Sequence, residues 1–300
     1  MTESRQRQDK EDRVANTDDL TIFKYSHTFT YGDFNKSGTV DLWRVAKISE
    51  SGNARSIQQG MEKSLQLSAT IRIFMRYQVI HLSEEFHDTV TSSTLWDLTS
   101  WWSYIGKTSY CIDSVLRQHG TGLELASFCI HAVRVDLTVR RPIQLPMECV
   151  SRYGRTVSRS RPPTSDLREA APRDGPTYLF STRALPSETD ANQHVNHTAF
   201  IKYCIDCASL AAIEGGVLSH FHDDMAYYKL KDFELEYVQE ISVGDKINVV
   251  CWEDSTNRRV IRFLVKTAEK TACRCRGEWY PDSNGYPTKI PNPKPFVSNL

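Results

Sequence analysis

The sequence predicts an α+β protein made of two similar units, each an antiparallel sheet wrapped around one central helix. Three observations carry that prediction. Residues 198–213 are apolar around most of a helical circumference: Thr198, Lys202, Asp206 and Ser209 form one narrow polar stripe, and Gly215-Gly216 stops the run. A helix of that kind has to be covered on several sides. Strand-like runs follow it at 231–240, 246–254, 258–268 and 271–280. Finally, Asp33-x-Asn35 recurs as Asp190-x-Asn192, each time with a helix expected six or seven residues after the Asp. Ser37 takes the place of His194 in this pairing. A repeat with a period near one small domain indicates duplication, and 300 residues suit two domains of about 100–150 residues.

The elements follow in order. Residues 1–20 mix charged and amide side chains with almost no apolar content, the composition of a disordered tail. The first unit is expected over 21–145, with a strand at 21–31 and a helix from about Val40 whose apolar positions are Leu42, Val45, Ala46 and Ile48. Strands are expected at 69–82, 100–117 and 123–139, the last two joined by a turn at 118–122. Residues 83–93 read as a polar loop, and His81 and His87 as its flanking histidines rather than metal ligands. Trp96, Trp101 and Trp102 lack interleaved basic residues, so they read as core or pocket lining rather than a stacking surface for bases. Residues 146–176 are rich in Arg and Pro and read as a solvated linker; its arginines could instead dock an acidic partner. The second unit is expected over 177–285, opening with a strand at 177–185 and carrying a turn at 254–257, with a tail at 286–300.

Composition excludes several classes. Lys plus Arg equals Asp plus Glu at 37 each, so no global field favours nucleic acid or an anionic membrane. No apolar run approaches the roughly 18 residues that a membrane span requires. The eight cysteines show no disulfide framework, so they are expected to be reduced thiols of a cytoplasmic chain. Cys204-x-x-Cys207 and Cys273-x-Cys275 lack clear zinc spacing, and neither metal nor cofactor is expected.

Function concentrates in 188–197, Glu-Thr-Asp-Ala-Asn-Gln-His-Val-Asn-His. Asp190, Asn192 and His194 alternate, so an extended or turning loop points all three one way. Asn and Asp also favour turns, and Asn196 or Thr198 could cap the helix. Capping explains one polar residue, however, and here there are three before the helix. A helix N-terminus also offers N–H groups to a carbonyl oxygen. Glu240 shares the parity of Glu234 and Glu236, so a regular strand sends it to the polar face; only the strand's end or a bulge would bring it to a site.

Asp190-Ala-Asn-Gln-His-Val-Asn196, the helix, then Leu235-Glu-Tyr-Val-Gln-Glu240 and Gly244-Asp245 resemble the second half of an acyl-ACP thioesterase of the tandem hot-dog type. The resemblance spans 178–255 and is weak over the first half. Two positions depart from the family pattern. His197 stands where the family has a second Asn, and Ile241 where it often has Cys, which removes a cysteine nucleophile there.

The resemblance implies a double hot-dog fold, hydrolysis of a fatty acyl thioester, and a site of Asp190, Asn192, His194 and Glu240. In the expected division of roles, Glu240 acts as base or positions water with help from His194. Asn192 orients the water or the carbonyl. Asp190 fixes the Asn–His geometry or serves as the base instead. The first unit, lacking the His, would line the acyl pocket. The acid-rich start of the chain is unlike an organelle transit peptide, which leaves acyl-CoA beside acyl carrier protein as the carrier. Two further readings share the fold: a hydroxyacyl dehydratase and a non-catalytic acyl-binding module. A monomer or a homodimer is expected.

Overall fold

Period-two runs become strands and the apolar segment becomes a long helix. The computed structural model describes residues 22–56, 62–154, 157–164, 167, 171–172, 175–190, 192–268 and 270–290. Its strands are β1 (Ile22–Thr28), β2 (Ile71–Leu82), β3 (Leu95–Ile105), β4 (Ser109–Gln118), β5 (Glu124–Asp136), β6 (Arg141–Pro142), β7 (Tyr178–Arg183), β8 (Leu230–Tyr237), β9 (Lys246–Glu253), β10 (Val260–Thr267) and β11 (Lys270–Trp279). Its helices are α1 (Leu42–Ser56), α2 (Glu62–Leu65), α3 (Glu84–Thr89), α4 (Met147–Tyr153) and α5 (His197–Glu214). The chain forms two units. One takes Met1–Thr30, Lys47–Met75 and Thr91–Pro163; the other takes Tyr31–Ala46, Arg76–Val90 and Thr164–Leu300. The expected tail at 1–20 lies outside the described residues.

In the first unit β1, β3, β4 and β5 form an antiparallel ladder, with β6 on β5. The later part of α1 lies close against it. A Cβ on Gly52 would come within 2.4 Å of Leu98 and 2.8 Å of Tyr25, so only glycine permits this approach. The Tyr25 hydroxyl donates to the Ile48 carbonyl at 2.8 Å. Two expectations change here. The single strand at 100–117 is a hairpin of β3 and β4, turning at 106–108, where the Gly106 N–H donates to the Ser109 carbonyl at 2.8 Å. The linker is also not bare coil. It contains α4, whose Cys149 and Tyr153 are buried, and Tyr153 stacks on Trp102 at 4.5 Å and 5°. Downstream, the Arg159 guanidinium holds Asp113 at 2.7 Å.

In the second unit the ladder runs β8-β11-β10-β9-β7, and Tyr77–His81 of β2 pairs with β8. Helix α5 packs on β9, β7 and β10. Phe200, Ile201, Cys204, Cys207, Ala208 and Ala211 are buried along it, as its composition predicts. The outer face of β8 is polar: Glu234 pairs with Arg276, and Glu236 with Arg76 and Arg274. The polar loop at 83–93 contains the short helix α3, whose first turn is capped when the Ser83 hydroxyl accepts the Phe86 N–H. Residues 286–290 are tied in rather than part of a tail: Lys289 bridges Tyr228, and the Ile290 N–H donates to the Tyr227 carbonyl at 2.8 Å. Among the described residues no helix is long and apolar enough to cross a membrane.

Candidate active site

The stretch 188–196 folds as a closed hairpin ahead of α5. Thr189 bridges Val195, the Asp190 N–H donates to the His194 carbonyl at 2.9 Å, and the Asn196 N–H donates to the Glu188 carbonyl at 2.8 Å. Gln193 takes the turn's left-handed position at φ 63°. Within the turn the Asp190 carboxylate accepts the Asn192 N–H at 2.7 Å and approaches the Asn192 amide at 3.4 Å. Asp190 and Asn192 therefore form one pair, and Asn192 is exposed.

His194 is held by the other side of the unit. It bridges Ser242, and the Val195 N–H donates to the Ile241 carbonyl at 2.9 Å. That pairing brings Glu240 to it: His194 Nε2 and Glu240 Oε2 are 3.4 Å apart, each about one-third exposed. The parity problem is solved at the strand's end. Strand β8 stops at Tyr237, and the N–H groups of Val238 and Gln239 both point to the Ala272 carbonyl at 2.8 and 3.2 Å. Two residues opposite one bend the chain, so Glu240 leaves the polar face of Glu234 and Glu236. The four expected residues thus form two pairs, Asp190 with Asn192 and His194 with Glu240, joined through the Asp190–His194 backbone bond. The turn after Glu240 is closed by Gly244 at φ 84°, whose N–H donates to the Ala184 carbonyl at 2.9 Å.

The helix start is more committed than expected. The Asn196 side chain accepts from the Thr198 N–H at 2.9 Å and the Thr198 hydroxyl at 2.7 Å, and its carbonyl accepts the Ala199 N–H at 2.9 Å. Those two helix amides are therefore not open to a substrate oxygen.

Glu188 was not singled out by sequence reasoning, yet it ties the hairpin to α5. Its carboxylate accepts from the Tyr203 hydroxyl at 2.5 Å, the Leu185 N–H at 3.0 Å and Lys202 at 3.1 Å. Burial raises this carboxyl, but the three donors outweigh it and hold it below the usual carboxylate range. The missed signal was Glu188 standing three residues after Leu185, the reach-back spacing of a capped turn.

The first-half copy has the same hairpin in a shifted alignment. Phe34 bridges Val40, the Asn35 N–H donates to the Thr39 carbonyl at 2.8 Å, and the Asp41 N–H donates to the Asp33 carbonyl at 3.2 Å. Gly38 takes the left-handed position at φ 77°. Each position of the second-half hairpin therefore lies 155 residues beyond its counterpart: Asn35 to Asp190, Ser37 to Asn192, Thr39 to His194. The sequence pairing of Asp33 with Asp190 was two residues out of register, because it matched letters where the backbone matches turns. Thr39, not Ser37, stands in the place of His194.

The Cys204 sulfur lies 3.6 Å from that of Cys275, which lies 3.5 Å from that of Cys273. Burial pushes all three thiols up, away from the thiolate. Among the described residues no three His, Cys, Asp or Glu side chains are arranged to hold a metal.

Comparison with known proteins bears on the family and the fold. Residues 185–281 match the family model of the acyl-ACP thioesterase C-terminal domain. Among solved structures, a 12:0-ACP thioesterase from Umbellularia californica aligns with a TM-score of 0.67 at 16% identity, covering 87% of this chain and 98% of its own. An acyl-ACP thioesterase from Bacteroides thetaiotaomicron aligns with a TM-score of 0.66 at 14% identity, covering 88% and 99%. At these identities the likeness shows the fold, a double hot-dog. Comparison with curated protein sequences gives no match. It is through residues 185–281, which carry the hairpin, α5 and the bend at Glu240, that the C-terminal half of this chain matches the acyl-ACP thioesterase family.

Proposed function

We propose that the protein hydrolyses a fatty acyl thioester, acyl-ACP or acyl-CoA, to a free fatty acid and a thiol, and that His194 and Glu240 carry the reaction. The observation behind this reading is their 3.4 Å approach, each about one-third exposed, inside the stretch that matches the family. Glu240 accepts a proton from a water whose oxygen bonds to the thioester carbonyl carbon. His194 orients that water and the carboxylate. The carbonyl electron pair moves to its oxygen, which the exposed Asn192 amide, steadied by Asp190, receives. On collapse the C–S bond breaks, and the sulfur leaves with a proton from the His194–Glu240 pair. Water rather than cysteine is the nucleophile, since the position after Glu240 is the buried Ile241.

The reading extends to the setting. Eight buried free thiols suit a reducing compartment, and we assign the protein to the cytoplasm, in fatty acid metabolism. Of the linker arginines, Arg159 is held by Asp113 while Arg161 is exposed and open to an acidic carrier. The test is thiol release from a panel of acyl-ACP and acyl-CoA substrates, with 3-hydroxyacyl thioesters assayed in parallel for water loss. Thiol release on at least one chain length is expected. Water loss without thiol release would assign a dehydratase, and saturable acyl binding with neither product would assign a binding module.

A further inference from the structure

The proposed catalytic pair stands on two arms of the second unit. His194 lies in the hairpin that leads into α5, and Glu240 follows the end of β8. Tyr237 touches both arms. It is the last residue of β8, three before Glu240. Its ring meets the first turn of α5 edge-on, with centroids 5.5 Å from Phe200 and 6.2 Å from His197. Its hydroxyl donates to the Gln78 side-chain oxygen at 3.1 Å and lies 3.3 Å from the His197 carbonyl. His197 stands three residues after His194.

Strand β2 grips the same tyrosine from its other side. The β2–β8 ladder ends at the pair Tyr77 and Glu236. Past it the Arg76 guanidinium takes the Tyr237 carbonyl at 2.6 Å while holding Glu236 at 3.0 Å. Gln78 faces Leu235 in the ladder and is 0% exposed. Its amide nitrogen has no hydrogen-bond partner among the described residues. Burying an amide with half its capacity unused is costly; the bond this one does make fixes the Tyr237 hydroxyl. Packing against Phe200 and His197 would need only a phenylalanine, so the hydroxyl and its buried acceptor call for a separate reason.

We propose that Tyr237 is a positioning residue: gripped by Arg76 and Gln78, it sets the end of β8 against the start of α5 and so sets the 3.4 Å separation of His194 and Glu240. The backbone bond from Val195 to Ile241 joins the two arms at one point. Tyr237 joins them at a second, and two points fix an angle where one does not. The bend at Val238 and Gln239 begins at the next residue, so a shift of Tyr237 is carried to Glu240. The consequence for turnover rests on the hydrolase reading; the geometry does not.

Thiol release and the His194 imidazole resonance of the full chain are measured for wild type, Tyr237→Phe, Glu240→Gln and the double variant, with His194→Ala assigning the resonance. Phenylalanine keeps the ring and removes only the hydroxyl. Tyr237→Phe is expected to lower kcat about tenfold with KM unchanged, the effect of a small misplacement at the reacting groups. It should lower the residual kcat of Glu240→Gln by less than about twofold, since the group it positions is already gone. It should also move the His194 resonance, although the aromatic ring is kept. A merely structural hydroxyl would lower the active fraction and so cost both backgrounds the same factor. Unchanged kcat, equal losses in the two backgrounds, or an unmoved His194 resonance would overturn the proposal. Absence of turnover by wild type would remove the hydrolase reading; the resonance alone then decides the geometry, moved for it and unmoved against it.

Discussion

Asp190 and Glu240 are both carboxylates near one histidine, but their neighbours separate them. Asp190 spends its oxygens on the Asn192 N–H and amide, whereas Glu240 faces His194 at the end of a strand. Asp190→Asn keeps an acceptor for the turn, so it should lower kcat by about tenfold or less. Glu240→Gln removes a proton acceptor and should lower kcat by about 10²–10⁴-fold, the usual range for a general base. Steady-state kinetics on one substrate compares them; equal losses would return Asp190 to the role of base. Asp190, Asn192 and His194 were legible because alternate residues in a short loop stand together. The place of Glu240 was not, since its parity points to the polar face and the bend at Val238 and Gln239 is made by the partner strand, through the Ala272 carbonyl.

The elements that present these residues can be tested separately. Asn196→Ala removes the α5 cap and should cost about 1 kcal/mol in urea unfolding. Gly244 is left-handed, so Gly244→Ala should cost about 1–2 kcal/mol, with activity falling as the turn behind Glu240 loosens. Asp254 closes the turn between β9 and β10. Burial raises its carboxyl, but Thr256 and Arg262 outweigh that and bring it down to about 2. Because this lies below the unfolded value near 3.9, the ionised form is favoured in the fold. Its stabilisation is complete above about pH 4 and disappears as pH falls through about 2. Urea midpoints measured from pH 5 to 2 should fall more steeply for wild type than for Asp254→Asn. Strands β7 to β11 and helix α5 were legible because alternation and an all-round apolar helix are local signals. The β3–β4 hairpin was not: Gly106-Lys-Thr sits inside one long apolar run. Helix α4 was hidden because arginine and proline dominate its surroundings, while the buried pair Cys149 and Tyr153 is its only helical mark.

At the scale of the whole chain the duplication was visible as two Asp-x-Asn motifs, and two residues out of register. Side-chain identity had drifted between the copies; the closing backbone bonds and the left-handed turn residue had not, and these became comparable only in the folded chain. The same comparison sets Thr39 in the first hairpin where the second carries His194. The central claim is that His194 and Glu240 act as one unit on a thioester. The most direct measurement is thiol release by wild type, His194→Ala, Glu240→Gln and the double variant on the best acyl-ACP or acyl-CoA substrate. Groups acting as a unit are strongly non-additive, so each single variant should lose about 10²-fold or more and the double variant hardly more than the worse single. Losses that multiply, or a His194→Ala variant close to wild type, would contradict it.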